Sequence, residues 1–260
     1  TMATYLHIPL VLMLVGIIAR GTAFTFRHYD AVEDRWQLIY TQIFYYASLL
    51  TPFFLGLIAA ATISQTINPD ANNFLDLYVF SWLNWFGVAV GLFTVSLCAY
   101  LASIFSLRET IDRLELGLMI KKSHQTMIFV VVTGLLVFSA AYFSDIPLAR
   151  WIFSKPLGVM SISFATVALG LILRAMHNRK FLPVRALAGF QIIMILVAAT
   201  YQHNPDIILL GNGQHLSLLK HIAPEKTISA LGWALVLGSI FILPFLFYLM
   251  FSFTKAKGKS

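Results

Sequence analysis

The residues in this chain best suited to redox chemistry are seven histidines: His7, His28, His124, His177, His203, His215 and His221. Imidazole is a common axial ligand of haem iron in membrane proteins. A site inside a helical bundle needs such ligands to converge at depth from facing helices. Six of the seven fall in loops or at the ends of long apolar stretches, and only His7 lies within one, near its outer end. The pattern predicts no haem and no metal ligated by this chain. Cys98 is the single cysteine. It can form no disulfide within the chain, has no second thiol to share a metal, and is predicted to be a small core residue.

Carboxylates are missing from the same apolar stretches. Proton-coupled transporters and pumps place ionisable acids inside the membrane, where only function justifies their cost. Their absence argues against a transporter and against a complete proton relay on this chain. The densest polar cluster is Arg20-Gly21-Thr22-Ala23-Phe24-Thr25-Phe26-Arg27-His28-Tyr29-Asp30. Arg20 falls where the first apolar stretch ends. It reads either as an anchor snorkelling to lipid headgroups or as an arginine facing the bundle or a partner subunit. Gly21 and Ala23 would let another element come close. Trp36, Trp82, Trp85, Tyr142, Trp151 and Tyr201 lie near the ends of apolar stretches and read as an aromatic belt, although aromatic walls would also suit a quinone.

The elements that must position these residues follow from composition. Hydrophobic residues make up 59% of the chain and charged residues 11%, with a mean hydropathy of +0.81. A soluble domain carries roughly 25% charged residues, so this surface must face lipid. Asp, Glu, Lys and Arg are absent from 1–19, 36–69, 77–107, 123–144, 156–173, 186–205 and 227–254. A helix needs roughly 20 apolar residues to cross the hydrocarbon core, and the gaps lack the short alternating segments of a barrel. An all-α, polytopic transmembrane bundle of seven spans is predicted, at about 4–20, 38–66, 82–106, 125–144, 157–175, 184–202 and 228–252. The whole chain, 1–260, reads as one transmembrane domain.

Basic residues set the orientation. Arg20, Arg27 and Arg35 follow the first span, Arg108, Arg113, Lys121 and Lys122 the third, Arg174, Arg179, Lys180 and Arg185 the fifth, and Lys255, Lys257 and Lys259 the seventh. The opposite side carries Arg150, Lys155, Lys220 and Lys226. This asymmetry puts the start of the chain outside and the C-terminus in the cytoplasm. The net charge of +7 is therefore topology and not a nucleic-acid footprint. Leu107, Ile111, Leu114 and Leu118 recur on one helical face, so 107–122 is predicted to extend the third span or to lie at the interface. Residues 203–227, with Gly211-Asn212-Gly213 inside, form the longest outside loop.

The segment Ile17-Ile18-Ala19-Arg20-Gly21-Thr22-Ala23-Phe24-Thr25-Phe26-Arg27 resembles the R-G-x-A-F-x-F-R signature of cytochrome bd ubiquinol oxidase subunit II. Further similarities follow in order. They are Asp34-Arg35-Trp36 before the second span, Pro52 in a helix ending at Ser64-Gln65, Asn84-Trp85-Phe86-Gly87 leading to Arg108-Glu109-Thr110, Pro205, and the closing span to Phe251. The family has nine helices, so the resemblance implies that this chain lacks the first two, which carry a G-F-D-x-G-V-G motif. It also implies a multi-pass protein of the bacterial inner membrane, the accessory subunit of a quinol:oxygen oxidoreductase. Haem b and haem d would belong to the partner subunit I, and a quinone or lipid would bind at the complex. The resemblance places Arg20, Thr25 and Arg27 on a proton path or at the subunit interface. Thr25 stands where some members have Asp, and a hydroxyl cannot take over an ionising role. The alternatives are a multi-helix transporter and a quinone-binding anchor of another respiratory complex.

The orientation is directly testable. Reporter fusions after Lys122 and after Lys180 should score as cytoplasmic, and fusions at Asn72 and Gly213 as external. Two loops scoring on the wrong side would break the seven-span alternation.

Overall fold

A segment that meets lipid instead of water must satisfy its backbone N–H and C=O groups internally, and a helix does so within one segment. The computed structural model describes residues 2–29, 35–67, 73–107, 113–203, 206–209, 215–217 and 224–257. In chain order the elements are α1 (Met2–Tyr5), α2 (His7–Tyr29), α3 (Arg35–Ile63), α4 (Phe74–Tyr78), α5 (Trp85–Ser106), α6 (Arg113–Phe143), α7 (Leu148–Phe153), α8 (Pro156–His177), α9 (Phe181–Thr200), a 3₁₀ turn (Tyr201–His203), strands β1 (Asp206–Leu209) and β2 (His215–Ser217), and α10 (Glu225–Lys257). Seven of them, α2, α3, α5, α6, α8, α9 and α10, are long and apolar enough to cross a membrane. The chain is thus an all-α polytopic membrane protein.

Three expectations need correction. Arg20 does not end its helix: α2 runs on to Tyr29, and along this stretch the Thr22 and Thr25 hydroxyls donate to the carbonyls of Ile18 and Gly21. The predicted extension of the third span belongs instead to the fourth. Helix α5 stops at Ser106, and α6 already begins at Arg113; residues 108–112 lie outside the described residues. The long loop also holds a two-stranded sheet of β1 and β2. Its first strand, Asp206-Ile207-Ile208-Leu209, is too short for a helix and is flanked by Pro205 and the Gly211-Asn212-Gly213 turn former.

Two compact units divide the chain, Thr1–Leu216 and Ser217–Ser260. The second carries α10, a helix that tolerates Pro244 in its interior. In the first, α2 packs on α3, α3 on α5, α5 on α6, and α8 on α9, while α5 also touches α9. Helices α3 and α5 approach backbone to backbone. A Cβ added at Gly56 would lie 2.7 Å from Gly91 Cα and 2.8 Å from Val90 O. Small residues permit such backbone contact, which replaces the hydrophobic effect as the source of association in lipid.

Helix ends are closed deliberately. Asn84 caps α5, its side chain accepting from Gly87 N at 2.7 Å. Three helices are followed by a left-handed residue that is not glycine: Gln65 after α3 at φ 57°, and Asp145 after α6 and Arg179 after α8, each at φ 54°. The last two stops carry the paired bonds of a Schellman closure: Ile146 N to Ala141 O and Asp145 N to Tyr142 O, then Lys180 N to Ala175 O and Arg179 N to Met176 O.

The Gly56 contact yields a stability test. Gly56→Val should destabilise the detergent-solubilised protein by about 1–3 kcal/mol or more, since the obstructing atoms include the backbone of Gly91 and Val90, which cannot swing aside as the Thr94 side chain can. Gly170→Val, where an added Cβ meets nothing within 4 Å, should leave the thermal midpoint close to wild type.

Candidate functional site

Helix α2 presents Arg20, Phe24 and Arg27 at i, i+4 and i+7, one stripe of the helix. Both arginines are exposed. The buried side of the same turn is Ala23, pressed towards α3. The Arg20 guanidinium carbon lies 5.5 Å from the centroid of the Phe44 ring on α3, within the range of a cation–π contact. Phe24 tilts against Phe44 at 6.3 Å, and Phe26 stacks on Tyr40 at 5.7 Å. Together Ile17, Arg20, Gly21, Phe24, Phe44 and Thr51 line a cleft of about 360 Å³. Its walls are aromatic, and its free hydrogen-bonding capacity is concentrated in one guanidinium, because the Thr51 hydroxyl already bonds Ala47 O at 2.9 Å.

Thr25 stands apart. It is five residues from Arg20, about 140° around the helix. Its hydroxyl donates to Gly21 O at 3.0 Å, so it offers only lone pairs outward. The structure therefore brings Arg20 and Arg27 to one face and turns Thr25 away from both.

The histidines are placed as follows. His7 sits at the start of α2 with Nδ1 2.8 Å from Thr4 O, edge-on to Tyr78. His203 is buried and edge-on to Trp151 at 4.6 Å. His124 and His177, 53 positions apart, line one cleft between α6 and α8, a convergence the sequence did not suggest. Both are exposed, and His124 Nδ1 lies 2.9 Å from its own helix's Ile120 O. That open cleft does not enclose a macrocycle, so these residues fit a haem poorly. His215 lies in β2 and His28 at the end of α2, while His221 is outside the described residues. Among the described residues no group of three or more His, Cys, Asp or Glu is arranged to hold a metal ion.

Two other expectations are revised. Cys98 is exposed on α5 and is not a core residue. Trp82 does not join an aromatic belt. It is buried against Phe54, and its indole N–H donates to Tyr78 O at 2.6 Å. Trp36, Trp85 and Tyr142 do remain exposed.

Polar groups missed by sequence reasoning hold the helices together. Tyr100 Oη on α5 donates to Gln191 Oε1 on α9 at 2.8 Å, and Gln191 Nε2 donates to Ala165 O on α8 at 3.2 Å. One amide thus ties three spans. Ser96 pairs with Thr133 at 2.8 Å and Ser103 with Thr126 at 2.9 Å, both across α5 and α6. Arg185 on α9 donates to Phe105 O and lies over the Phe105 ring, joining the ends of α5 and α9. Gln191 was the signal available, as an amide isolated in an apolar stretch; its partners, 91 and 26 positions away, were not.

Seven long apolar helices, tied to one another by a few buried side-chain hydrogen bonds, define a multi-pass membrane protein. Residues 1–253 match the family model of cytochrome bd terminal oxidase subunit II. The chain belongs to that family. It is also similar to cytochrome bd ubiquinol oxidase subunit 2 of Bacillus subtilis (strain 168), 28% identical over 165 residues, which are 62% of this chain and 47% of that protein. The aligned region thus spans about half the length of this curated relative.

The tie through Gln191 can be measured. Tyr100→Phe leaves a buried amide oxygen unpaired and should cost about 1 kcal/mol, the scale of interhelical hydrogen bonds in membranes. Adding Gln191→Met, which removes the orphaned acceptor, should recover part of that loss in thermal unfolding.

Proposed function

We propose that this chain is the accessory, non-haem-ligating subunit of a cytochrome bd-type quinol:oxygen oxidoreductase, a single transmembrane domain in a bacterial inner membrane. The start of the chain lies outside and the C-terminus in the cytoplasm, as the placement of basic residues supports. It packs against subunit I, which carries haem b and haem d, and it supports proton supply to oxygen reduction. The complex takes electrons from membrane quinol and uses them with four protons to reduce each oxygen to two waters. The observation that carries this proposal is the family match over 1–253.

On this chain Arg20 is the residue chosen for the proton path or the subunit interface, with Arg27 on the same stripe and Thr25 as a neutral neighbour. The Phe44 ring holds the guanidinium beside α3 and leaves its N–H fork to meet a carboxylate, a water chain or a haem propionate of the partner. A quinone or lipid headgroup would find Phe24 and Phe44 as walls and Arg20 as donor in the same cleft.

The test uses the affinity-purified complex containing this chain. A reduced-minus-oxidised spectrum should show haem d, and its absence would defeat the oxidase assignment. Arg20→Ala should lower quinol-driven oxygen consumption about tenfold, the scale of one charge-assisted hydrogen bond, with haem content unchanged. Arg20→Lys should restore little if the planar fork is needed. Activity and haem both intact in Arg20→Ala would make the residue a lipid anchor; haem lost with activity would make it an assembly contact.

A further inference from the structure

Helix α6 packs on α5, and α8 packs on α9. A seam runs between these two hairpins. At the end of the bundle where α6 begins and α8 stops, it widens into a cleft of about 340 Å³, lined by Ile120 and His124 of α6, Leu173, Met176 and His177 of α8, and Arg179 just beyond. The floor is apolar, since Met176 is buried in the core beside Ile172 and Met127. The rim is basic: His124, His177 and Arg179 are exposed around it.

Arg179 is held in place by its backbone. It occupies the left-handed region at φ 54°, a conformation that costs a non-glycine residue about 1 kcal/mol or more. The Schellman bonds at the end of α8 hold it there. Glycine would satisfy this turn at no cost, so an arginine here brings a side chain to the cleft at the expense of local stability. Helix α8 points its carbonyl end this way, and its dipole repels anions. An anion must therefore be held by side chains. Lys121, Lys122, Arg174 and Lys180 stand exposed on the flanking turns. The nearest acid along α6 is Glu115, nine residues from His124 and about 13 Å away at the helical rise.

We propose that this cleft binds the phosphate of an anionic membrane lipid. A soluble phosphate would use only the basic rim. A lipid uses both features of the site, because the stripe of α6 that carries Ile120 and His124 continues with Ile128, Val131 and Leu135, all exposed, and an acyl chain lies along it. Basic pockets between helices at one membrane face take lipid headgroups in this way. The site needs only that the spans lie in a bilayer, so it stands or falls separately from the oxidase assignment.

The experiment places the assembled complex in phosphatidylcholine nanodiscs and titrates in phosphatidylglycerol carrying a fluorescent acyl chain. Wild type should capture phosphatidylglycerol in preference to labelled phosphatidylcholine. The double variant His124→Gln/Arg179→Gln should weaken that capture about tenfold, on the scale of one lost cationic contact at the membrane surface. Arg179→Lys should retain most of the capture, and Lys155→Gln, distant in the fold at the start of α8, should change nothing. Thermal unfolding of each variant separates lost binding from lost folding. Equal capture by wild type and the double variant would overturn the proposal. So would displacement of the labelled lipid by millimolar inorganic phosphate, which would mark a free-anion site. Failure of wild type to prefer phosphatidylglycerol, as expected if a partner subunit covers the cleft, would overturn it as well.

Discussion

The first compact unit depends on what α5 can bury without the help of water. In lipid the hydrophobic effect does not drive helices together, so association rests on close packing and interhelical hydrogen bonds. Helix α5 uses both. Towards α3 it offers Gly91, opposite Gly56, so that two backbones touch. Towards α6 it offers Ser96 and Ser103, which meet Thr133 and Thr126. Towards α9 it offers Tyr100, whose hydroxyl meets Gln191. Each contact is small, but together they make α5 the element that orders its neighbours. The fourth tie, Arg185 to Phe105 O, closes the same pair of helices at their basic end.

This arrangement leaves the periphery to serve function. Helix α2 packs on α3 through small residues such as Ala23 and Gly16 and turns Arg20, Phe24 and Arg27 outward. A guanidinium over an aromatic ring keeps its edge donors available, which is the geometry a partner carboxylate would use. A threonine bonded to its own backbone cannot compete for that role. The proposed proton path would therefore draw on Arg20 in this chain, with acidic groups supplied from elsewhere in a complex.

The two ends of the bundle have different characters. At one end, α3 leads into Ser64, Thr66, Ser81 and Asn84, a chain of hydrogen bonds that ends in the cap of α5. Trp82 is drawn into the core there, and His203 packs on Trp151. At the other end lie the basic rims around α6, α8 and α9, with fewer polar groups buried and more cations exposed. That contrast matches the charge asymmetry along the chain and underlies both the proposed orientation and the proposed lipid site.

The sequence by itself determined the class of fold and the number of spans, because an apolar stretch of about 20 residues has few ways to satisfy its backbone other than a helix across a bilayer. It also carried the family, through an ordered series of short motifs from Arg20 to Phe251. It misplaced the extension at 107–122 and the end of the first span, because a helix can run on past its apolar stretch into polar residues, and where it stops depends on where a turn can close. It missed the small sheet, whose strands are short, and it put Cys98 in the core, since an apolar helix gives little periodicity to tell its lipid face from its packed face. Only the tertiary structure decided which residues meet. His124 and His177 sharing one cleft, Gln191 tying three spans, and Gly56 touching Gly91 are all contacts between segments distant in sequence, and nothing local encodes which neighbour a helix face will find.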